Sequence, residues 1–377
     1  MHSSARGGGQ NGGTEPGGAP PRVAILGAGL MGRWHAHAAQ RAGARVALVA
    51  DPDPARAEAL ARRHPGATAV RDAAAALRPG LVDAAHVCSP LDTHAPLARA
   101  AVEAGIHALV EKPLTAGAAE TRALLDAARR AGVVLCPVHQ VAFQDGVARA
   151  ATALGRLGAV SRITFDICSA GGQGRSGAAL DEVVADILPH PLSVLLRLWP
   201  DARLEAAAWH VHHPGPGELL LSGGHAGALL TIAISTSARP TRFAMEAQCR
   251  EGAVRLDFFH GFAVVLDGRT SRLRKATRPF ADAGRTAAAA AANLARRGLS
   301  REPAYPGLRN LVQRFYAAAR AGAPPPIRDA DIIATAAARD DILAGLCPPT
   351  PRDRAMAAGG GHELRRGLAS AAERPVP

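Results

Sequence analysis

The segment Val23-Ala24-Ile25-Leu26-Gly27-Ala28-Gly29-Leu30-Met31-Gly32 constrains this chain more than any other. An apolar run of strand length enters a Gly-x-Gly-x-x-Gly turn, and helical periodicity follows over about Leu30–Ala42. A helix of this length is the long crossover that a parallel neighbour needs. The same alternation continues. Strands are expected at Arg45–Ala50, Ala84–Cys88, His107–Val110 and Val133–Val138. Helices are expected at Asp53–Arg63, about Thr93–Glu103 and Ala116–Ala131. Strands spaced by helices of this length predict a doubly wound parallel α/β sheet of the Rossmann type over residues 21–141.

The glycines carry chemistry as well as geometry. Gly27 permits the tight turn, Gly29 lets the backbone approach a pyrophosphate, and Gly32 lets the helix pack close to the sheet. The free amides at the start of the helix, from Leu30 and Met31 onward, face the anion. Asp51 ends the second expected strand, nineteen residues past Gly32. A carboxylate there accepts hydrogen bonds from ribose hydroxyls and repels a 2′-phosphate, so the expected cofactor is NAD rather than NADP.

Past residue 142 the pattern changes. Gly146–Leu157 reads as a helix, Val160–Cys168 as a strand, and Leu180–Leu198 as helical but interrupted by Pro189 and Pro191. Six strand-like segments follow: Leu204–His212, Glu218–Leu221, Ala226–Ser235, Arg242–Cys249, Ala253–Phe258 and Phe262–Leu266. The turn signals between them suit an antiparallel meander. Helices at about Tyr305–Ala321 and Asp329–Ala344 close the chain. The expected second domain, 142–347, is therefore α+β, an open, mostly antiparallel sheet with helices on one face. Residues 1–20 and 348–377 are Gly-, Pro- and Arg-rich and read as disordered tails.

Composition narrows the function. No apolar run approaches the roughly 20 residues that cross a bilayer, so no membrane partner is expected. The N-terminal stretch has no apolar core of the kind a secretory signal needs. The five cysteines are scattered and form no CxxC pair, which suits a cytoplasmic protein. The net charge of +12 is uneven, since Asp267–Glu302 holds nine basic residues against three acidic ones, half the excess. That stretch carries a single aromatic, Phe280, and reads as a solvated Ala-rich helix or mobile insertion rather than a nucleic-acid face. Of 44 basic residues only Lys112 and Lys275 are lysines. A chain that otherwise uses Arg keeps Lys where an amine is needed, because Lys presents a compact, tunable ammonium.

Lys112 lies in Val110-Glu111-Lys112-Pro113, after the expected strand His107–Val110, and Cys88-Ser89-Pro90-Leu91-Asp92-Thr93-His94 follows the expected strand Ala84–Cys88. With the glycine loop, these segments resemble the Gfo/Idh/MocA oxidoreductases, the glucose–fructose oxidoreductase and inositol dehydrogenase family. The resemblance covers roughly residues 21–345 and is specific over 22–140. It implies a substrate-binding and oligomerisation role for residues 142–347. It implies that Ser89, Pro90, His94 and Glu111 lie near the cofactor and that Lys112 reaches the substrate hydroxyl. It also implies a catalytic Asp-x-x-x-His pair, matched by Asp186 and His190. Here Leu188 replaces the family's usual Gly and Ser193 its last Asp, and the prolines beside His190 put a strict i,i+4 geometry in doubt. After the sixth strand the family often carries an Arg. This chain reads His139-Gln140 instead, a neutral pair placed to meet substrate.

The expected activity is hydride transfer between nicotinamide and a carbinol or ketone carbon of a sugar, cyclitol or related polyol, with His190 as base, Lys112 stabilising the alkoxide and Asp186 orienting. Two alternatives stay open: a redox-cycling glycoside-cleaving enzyme with bound NAD, and a dinucleotide-binding regulator without turnover. Homo-oligomers are expected from the open sheet and from the resemblance. His210, His212 and His213 lack a third ligand of clear spacing, so no metal is expected.

Overall fold

The structure, a computed structural model, describes residues 19–346 except 201, 203, 205–208, 270 and 303. The two expected tails lie outside the described residues, apart from residues 19 and 20. The first layer runs β1 (Arg22–Leu26), α1 (Leu30–Arg41), β2 (Arg45–Ala50), α2 (Pro54–Ala61), β3 (Thr68–Val70), α3 (Ala73–Ala76), β4 (Ala84–Val87), α4 (His94–Glu103), β5 (His107–Val110), α5 (Ala118–Ala131) and β6 (Leu135–Pro137). All its strand pairs are parallel, in the order β3-β2-β1-β4-β5-β6. The chain winds outward in both directions from β1, which places a ligand crevice at the carboxyl ends of β1 and β4. Strand β3 and helix α3 have no counterpart in the sequence reading. Thr68-Ala69-Val70 is too short and too exposed to produce an apolar run.

The sheet is covered on both faces. Val23, Ile25, Val49 and Leu109 enter one core, while Ala24, Leu26, Val87 and Val110 enter the other. Double burial is why these strands read as continuous apolar runs rather than alternating ones. Local chemistry sets the helix ends. Asp53 accepts from the amides of Ala55 and Arg56, with Pro54 in the first turn of α2. Gly132 closes α5 in the left-handed conformation at φ 66°.

The second layer comprises α6 (Asp145–Leu154), β7 (Val160–Cys168), α7 (Ala178–Ile187), α8 (Pro189–Leu198), β8 (Trp209–Gly215), β9 (Glu218–His225), β10 (Ala228–Ser235), β11 (Arg242–Cys249), β12 (Gly252–Asp257), β13 (Phe262–Asp267), α9 (Arg272–Ser300), α10 (Leu308–Ala321) and α11 (Asp329–Leu346). Its sheet has the order β13-β12-β11-β7-β10-β9-β8. This corrects the expected meander. Two antiparallel three-stranded units flank β7, and β7 pairs in parallel with β10. Strand β7 takes the centre because Ile163, Phe165 and Ile167 alternate into the core at full burial. The strand expected at Leu204–His212 appears as Trp209–Gly215, with 205–208 outside the described residues. Pro214 is tolerated there because β8 is an edge strand.

A second correction concerns the helices. Most cover the inner face of this sheet, but α9 lies across the outer face at the β13 edge. Val254, Leu256 and Ala263 point to the main core, whereas Ala253, Phe262, Val264 and Leu266 point the other way, against Ala289 and Ala290 of α9. The expected basic segment is thus a 29-residue helix, exposed along most of its length. Several of its arginines pair with acids: Arg274 with Asp267, Arg278 and Arg285 with Asp282, and Arg296 with Asp145.

The two closing helices return to the first sheet. Helix α10 packs along α1, and α11 packs against α5 and α8. Leu311, Val312 and Phe315 of α10 share one continuous core with strands of both sheets. Close packing is tightest where α1 leaves the glycine loop. A Cβ on Gly32 would run into the carbonyl oxygen of Gly27 and press on Ile25 Cγ2. Gly32→Ala should therefore destabilise the protein by about 1–3 kcal/mol, read as a lowered urea midpoint at unchanged slope.

Candidate active site

At the switch point, Gly27 has φ +99°, a conformation in which its Cβ would lie 2.8 Å from the carbonyl oxygen of Cys88. A Cβ on Gly29, by contrast, would meet nothing within 4 Å. Gly29 is the N-cap of α1, and no side chain caps that helix. The first-turn amides of Leu30, Met31 and Gly32 therefore open onto free space above a bare backbone. That is the arrangement a pyrophosphate requires. The side chain of Leu30 is exposed beside it. Asp51 is buried at the end of β2, where Oδ2 accepts from Ala28 N at 2.7 Å and Oδ1 from Asp53 N at 2.9 Å. Each oxygen retains a lone pair for a further donor such as a ribose hydroxyl. The residues present fit a dinucleotide.

The loops after β4 and β5 are tied together by one side chain. His94, at the start of α4, places Nε2 2.9 Å from Ser89 O and Nδ1 2.8 Å from Pro113 O. It thus links the two segments in which Ser89, Pro90 and Glu111-Lys112-Pro113 lie. Ser89 Oγ bonds Thr93 Oγ1, which donates to Pro90 O at 2.6 Å. Glu111 is buried and turns inward, with Oε2 accepting from Lys112 N at 3.1 Å. Burial opposes its ionisation, but the hydrogen bond from His35 and the charge of Lys112 outweigh this and hold its carboxyl below the usual range.

Lys112 turns outward, toward the second layer. Its side chain is 12% exposed, and Nζ donates to Asp186 Oδ1 at 2.6 Å and to Asp186 O at 3.0 Å. Asp186 is the penultimate residue of α7, and His190 is the second residue of α8. A new helix begins at Pro189, where the sequence placed an interruption. Asp186 pairs with Lys112, while His190 Nδ1 is buried without a hydrogen-bond partner among the described residues. Burial first, then the charges of Lys112 and His139, push the His190 pKa well below its ordinary value. The ring of Phe243 lies 6.1 Å away.

His139 and Gln140 begin the turn after β6, and both are buried. Gln140 Oε1 has no partner. Burial, reinforced by Lys112 and opposed by Glu111, lowers the His139 pKa to about 4. His139 also lines a cleft of about 280 Å³ with Ser193, Arg197 and Thr335. A larger concavity, about 510 Å³, lies on the outer face of the second sheet, and Lys112 is not among its lining residues. Its charged lining is paired, Arg242 with Asp166 and Arg255 with Glu246. His213, singled out in the sequence, bonds Asp181 at 3.0 Å, while His210 and His212 are exposed.

Three buried polar residues beside the site escaped the sequence reading: His35, His86 and Tyr316. Their signal was present in part. His86 interrupts an otherwise apolar strand, Ala84-Ala85-His86-Val87, and a polar ring there demands partners. The partners come from α1 and α10, the latter 230 residues away, so spacing alone could not reveal them.

The fold joins a Rossmann-type parallel sheet to a mixed seven-stranded sheet. Residues 21–139 match the family described as oxidoreductase, NAD-binding Rossmann fold. Among curated relatives, the myo-inositol dehydrogenase of Streptomyces leeuwenhoekii is 39% identical over 140 residues, 37% of this chain and 43% of that protein. The chain thus matches less than half of that relative. The D-apiose dehydrogenase of Paraburkholderia graminis is 28% identical over 335 residues, 83% of this chain and 84% of that one. Among solved structures, the UDP-N-acetylglucosamine 3-dehydrogenase from Acidithiobacillus ferrooxidans shares the fold, with TM-score 0.64 and 20% identity over 86% of this chain and 96% of that chain.

The lowered pKa of His139 carries a stability consequence. Above the unfolded value near 6.5, both states hold a neutral ring and the group contributes nothing. As pH falls from about 6.5 to about 4, the unfolded chain binds a proton that the folded protein refuses, so stability declines. The full effect, reached below about 4, is on the order of 3 kcal/mol. Urea titrations across this window should show a shallower decline for His139→Gln than for the natural protein.

Proposed function

We propose that the protein is an NAD-dependent dehydrogenase that moves a hydride between nicotinamide and a carbinol or ketone carbon of a sugar, cyclitol or related polyol. In this reading residues 21–141 hold the cofactor and 142–347 the substrate. The observation that carries it is Lys112. In a chain with only two lysines, one stands at the carboxyl end of β5, nearly buried, and is held by Asp186 from the opposing layer. The names of the relatives, inositol and apiose dehydrogenases, support a polyol or sugar as substrate.

Bound nicotinamide would accept or return the hydride. The remaining work falls to the protein. Gly27, Gly29 and Gly32 with the amides of Leu30 and Met31 seat the pyrophosphate. Asp51 receives the ribose hydroxyls and would meet a 2′-phosphate with its negative charge, which favours NAD. Ser89, Pro90, His94 and Glu111 shape the wall beside it. Lys112 Nζ stabilises negative charge on the reacting oxygen. Asp186 aims that ammonium. His190 is neutral, with a free ring nitrogen, and takes the hydroxyl proton, whose release the Lys112 charge promotes. The buried His139 and Gln140, whose Oε1 has no hydrogen-bond partner among the described residues, remain to meet substrate hydroxyls. The outer face of the second sheet is where copies of the chain would associate.

The test is a panel of polyols and sugars followed by NADH absorbance, with NADP in parallel. Reduction of NAD by at least one polyol is expected. Lys112→Arg should lower kcat/KM by about tenfold or more, because a guanidinium cannot reproduce the compact ammonium. Near-wild-type turnover by that variant would refute the role given to the amine, and reaction with NADP alone would refute the role of Asp51. No turnover of any panel member by protein that binds NAD would overturn the dehydrogenase reading.

A further inference from the structure

Beneath Lys112 runs a continuous buried chain of four polar side chains. Glu111 Oε1 lies 3.0 Å from His35 Nε2, His35 Nδ1 lies 3.0 Å from His86 Nδ1, and His86 Nε2 lies 2.9 Å from Tyr316 Oη. They come from β5, α1, β4 and α10, and all four are buried. A solvated surface explains none of them.

We infer that His35, His86 and Tyr316 form a positioning array with a single proton order, in which both rings are neutral and Glu111 is locked as a carboxylate that fixes the backbone of Lys112. The inference rests on the dehydrogenase reading only for its catalytic consequence.

The order follows from counting donors and acceptors. A carboxylate only accepts, so His35 Nε2 must carry its hydrogen. In a neutral ring, His35 Nδ1 is then an acceptor. His86 Nδ1 must donate to it, which makes His86 Nε2 an acceptor in turn. Tyr316 donates to that nitrogen. Every polar hydrogen in the chain then has one partner, from Tyr316 through His86 and His35 to Glu111. The alternative adds a proton to His35. Its Nδ1 then donates, His86 reverses, and Tyr316 must accept from His86. Its own hydrogen would then lack an acceptor, because His86 is the hydrogen-bond partner Tyr316 has among the described residues. A buried donor left in this way carries its full desolvation cost.

The surroundings agree. The titratable groups facing the array are Lys112, Cys88, His139 and Tyr305. Burial pushes the Cys88 thiol and the Tyr316 hydroxyl well above their ordinary values, so both stay protonated. Burial pushes His86 well below its own, so it stays neutral. Lys112 supplies the positive charge that faces Glu111. Because Glu111 Oε2 holds Lys112 N, the array sets the point from which the Lys112 side chain reaches Asp186. His35, His86 and Tyr316 thus act through Glu111 rather than on substrate.

Histidine labelled with 15N allows the order to be read directly by long-range correlation spectroscopy of the intact protein, without substrate. At neutral pH, His35 should appear as the Nε2–H tautomer and His86 as the Nδ1–H tautomer. An imidazolium at His35, or Nε2–H at His86, would overturn the inference while leaving the dehydrogenase reading intact. The catalytic consequence is read with His35→Gln and His35→Leu. The amide of Gln can donate to Glu111 and accept from His86, so kcat should stay within about threefold of the natural value. Leu does neither, so kcat should fall about tenfold or more with little change in the KM for polyol. Should the Leu variant fail to fold, Tyr316→Phe removes only an oxygen and should lower kcat about threefold or more, again at nearly constant KM. Equal kcat for the natural protein and Tyr316→Phe, or for the Gln and Leu variants, would refute the positioning role. Absence of turnover in the natural protein, with the predicted tautomers in place, would instead refute the dehydrogenase reading.

Discussion

Burial of the first sheet on both faces is the constraint from which the rest follows. With helices above and below, strands β1, β4 and β5 present apolar side chains in both directions, and polar chemistry is displaced to their carboxyl ends. Gly27, Asp51, Ser89, Glu111 and Lys112 all stand at such ends. The uncapped start of α1 opens onto the same edge because Gly32 lets that helix sit against the loop without a side chain between them. The position of the dinucleotide crevice is a consequence of layer packing.

One residue breaks this pattern, and the break is informative. His86 places an imidazole within β4, where an aliphatic side chain would cost nothing to bury. The structure satisfies it from both sides, through α1 and through α10, and α10 is itself held in the joint core by Leu311, Val312 and Phe315. The last third of the chain therefore completes the polar interior of the first domain. Above the array, Glu111 and Lys112 share one backbone junction but point oppositely, the carboxylate into a dry interior and the ammonium toward α7. In low-dielectric surroundings a charge held by fixed dipoles keeps its place more firmly than one held by water.

The second layer shows how little the net charge of +12 says about function here. Arginines of α9 are spread over an exposed ridge on the outer sheet face, and several are matched by local acids. The helix exists because an Ala-rich segment has high helix propensity and because Ala289 and Ala290 can lie flat on Phe262, Val264 and Leu266. Its arginines take no part in the chemistry of Lys112.

The sequence alone determined the parallel sheet, the glycine loop, Asp51, the two strand-end motifs and the interruption of the helical segment at Pro189. These are local: each depends on residue type within a few positions, and the physics of turns, caps and continuous burial acts at that range. Even His139 and Gln140 were legible as a departure in a short motif. Tertiary structure decided what no spacing encodes. It put β7 in the middle of its sheet, laid α9 on the outer face, and gave Asp186 to Lys112 rather than to His190. It also joined His35, His86 and Tyr316 beneath Glu111. These outcomes depend on which buried polar atom finds a partner across 51 to 230 residues of chain, and a buried hydrogen bond is satisfied in space, not along the sequence.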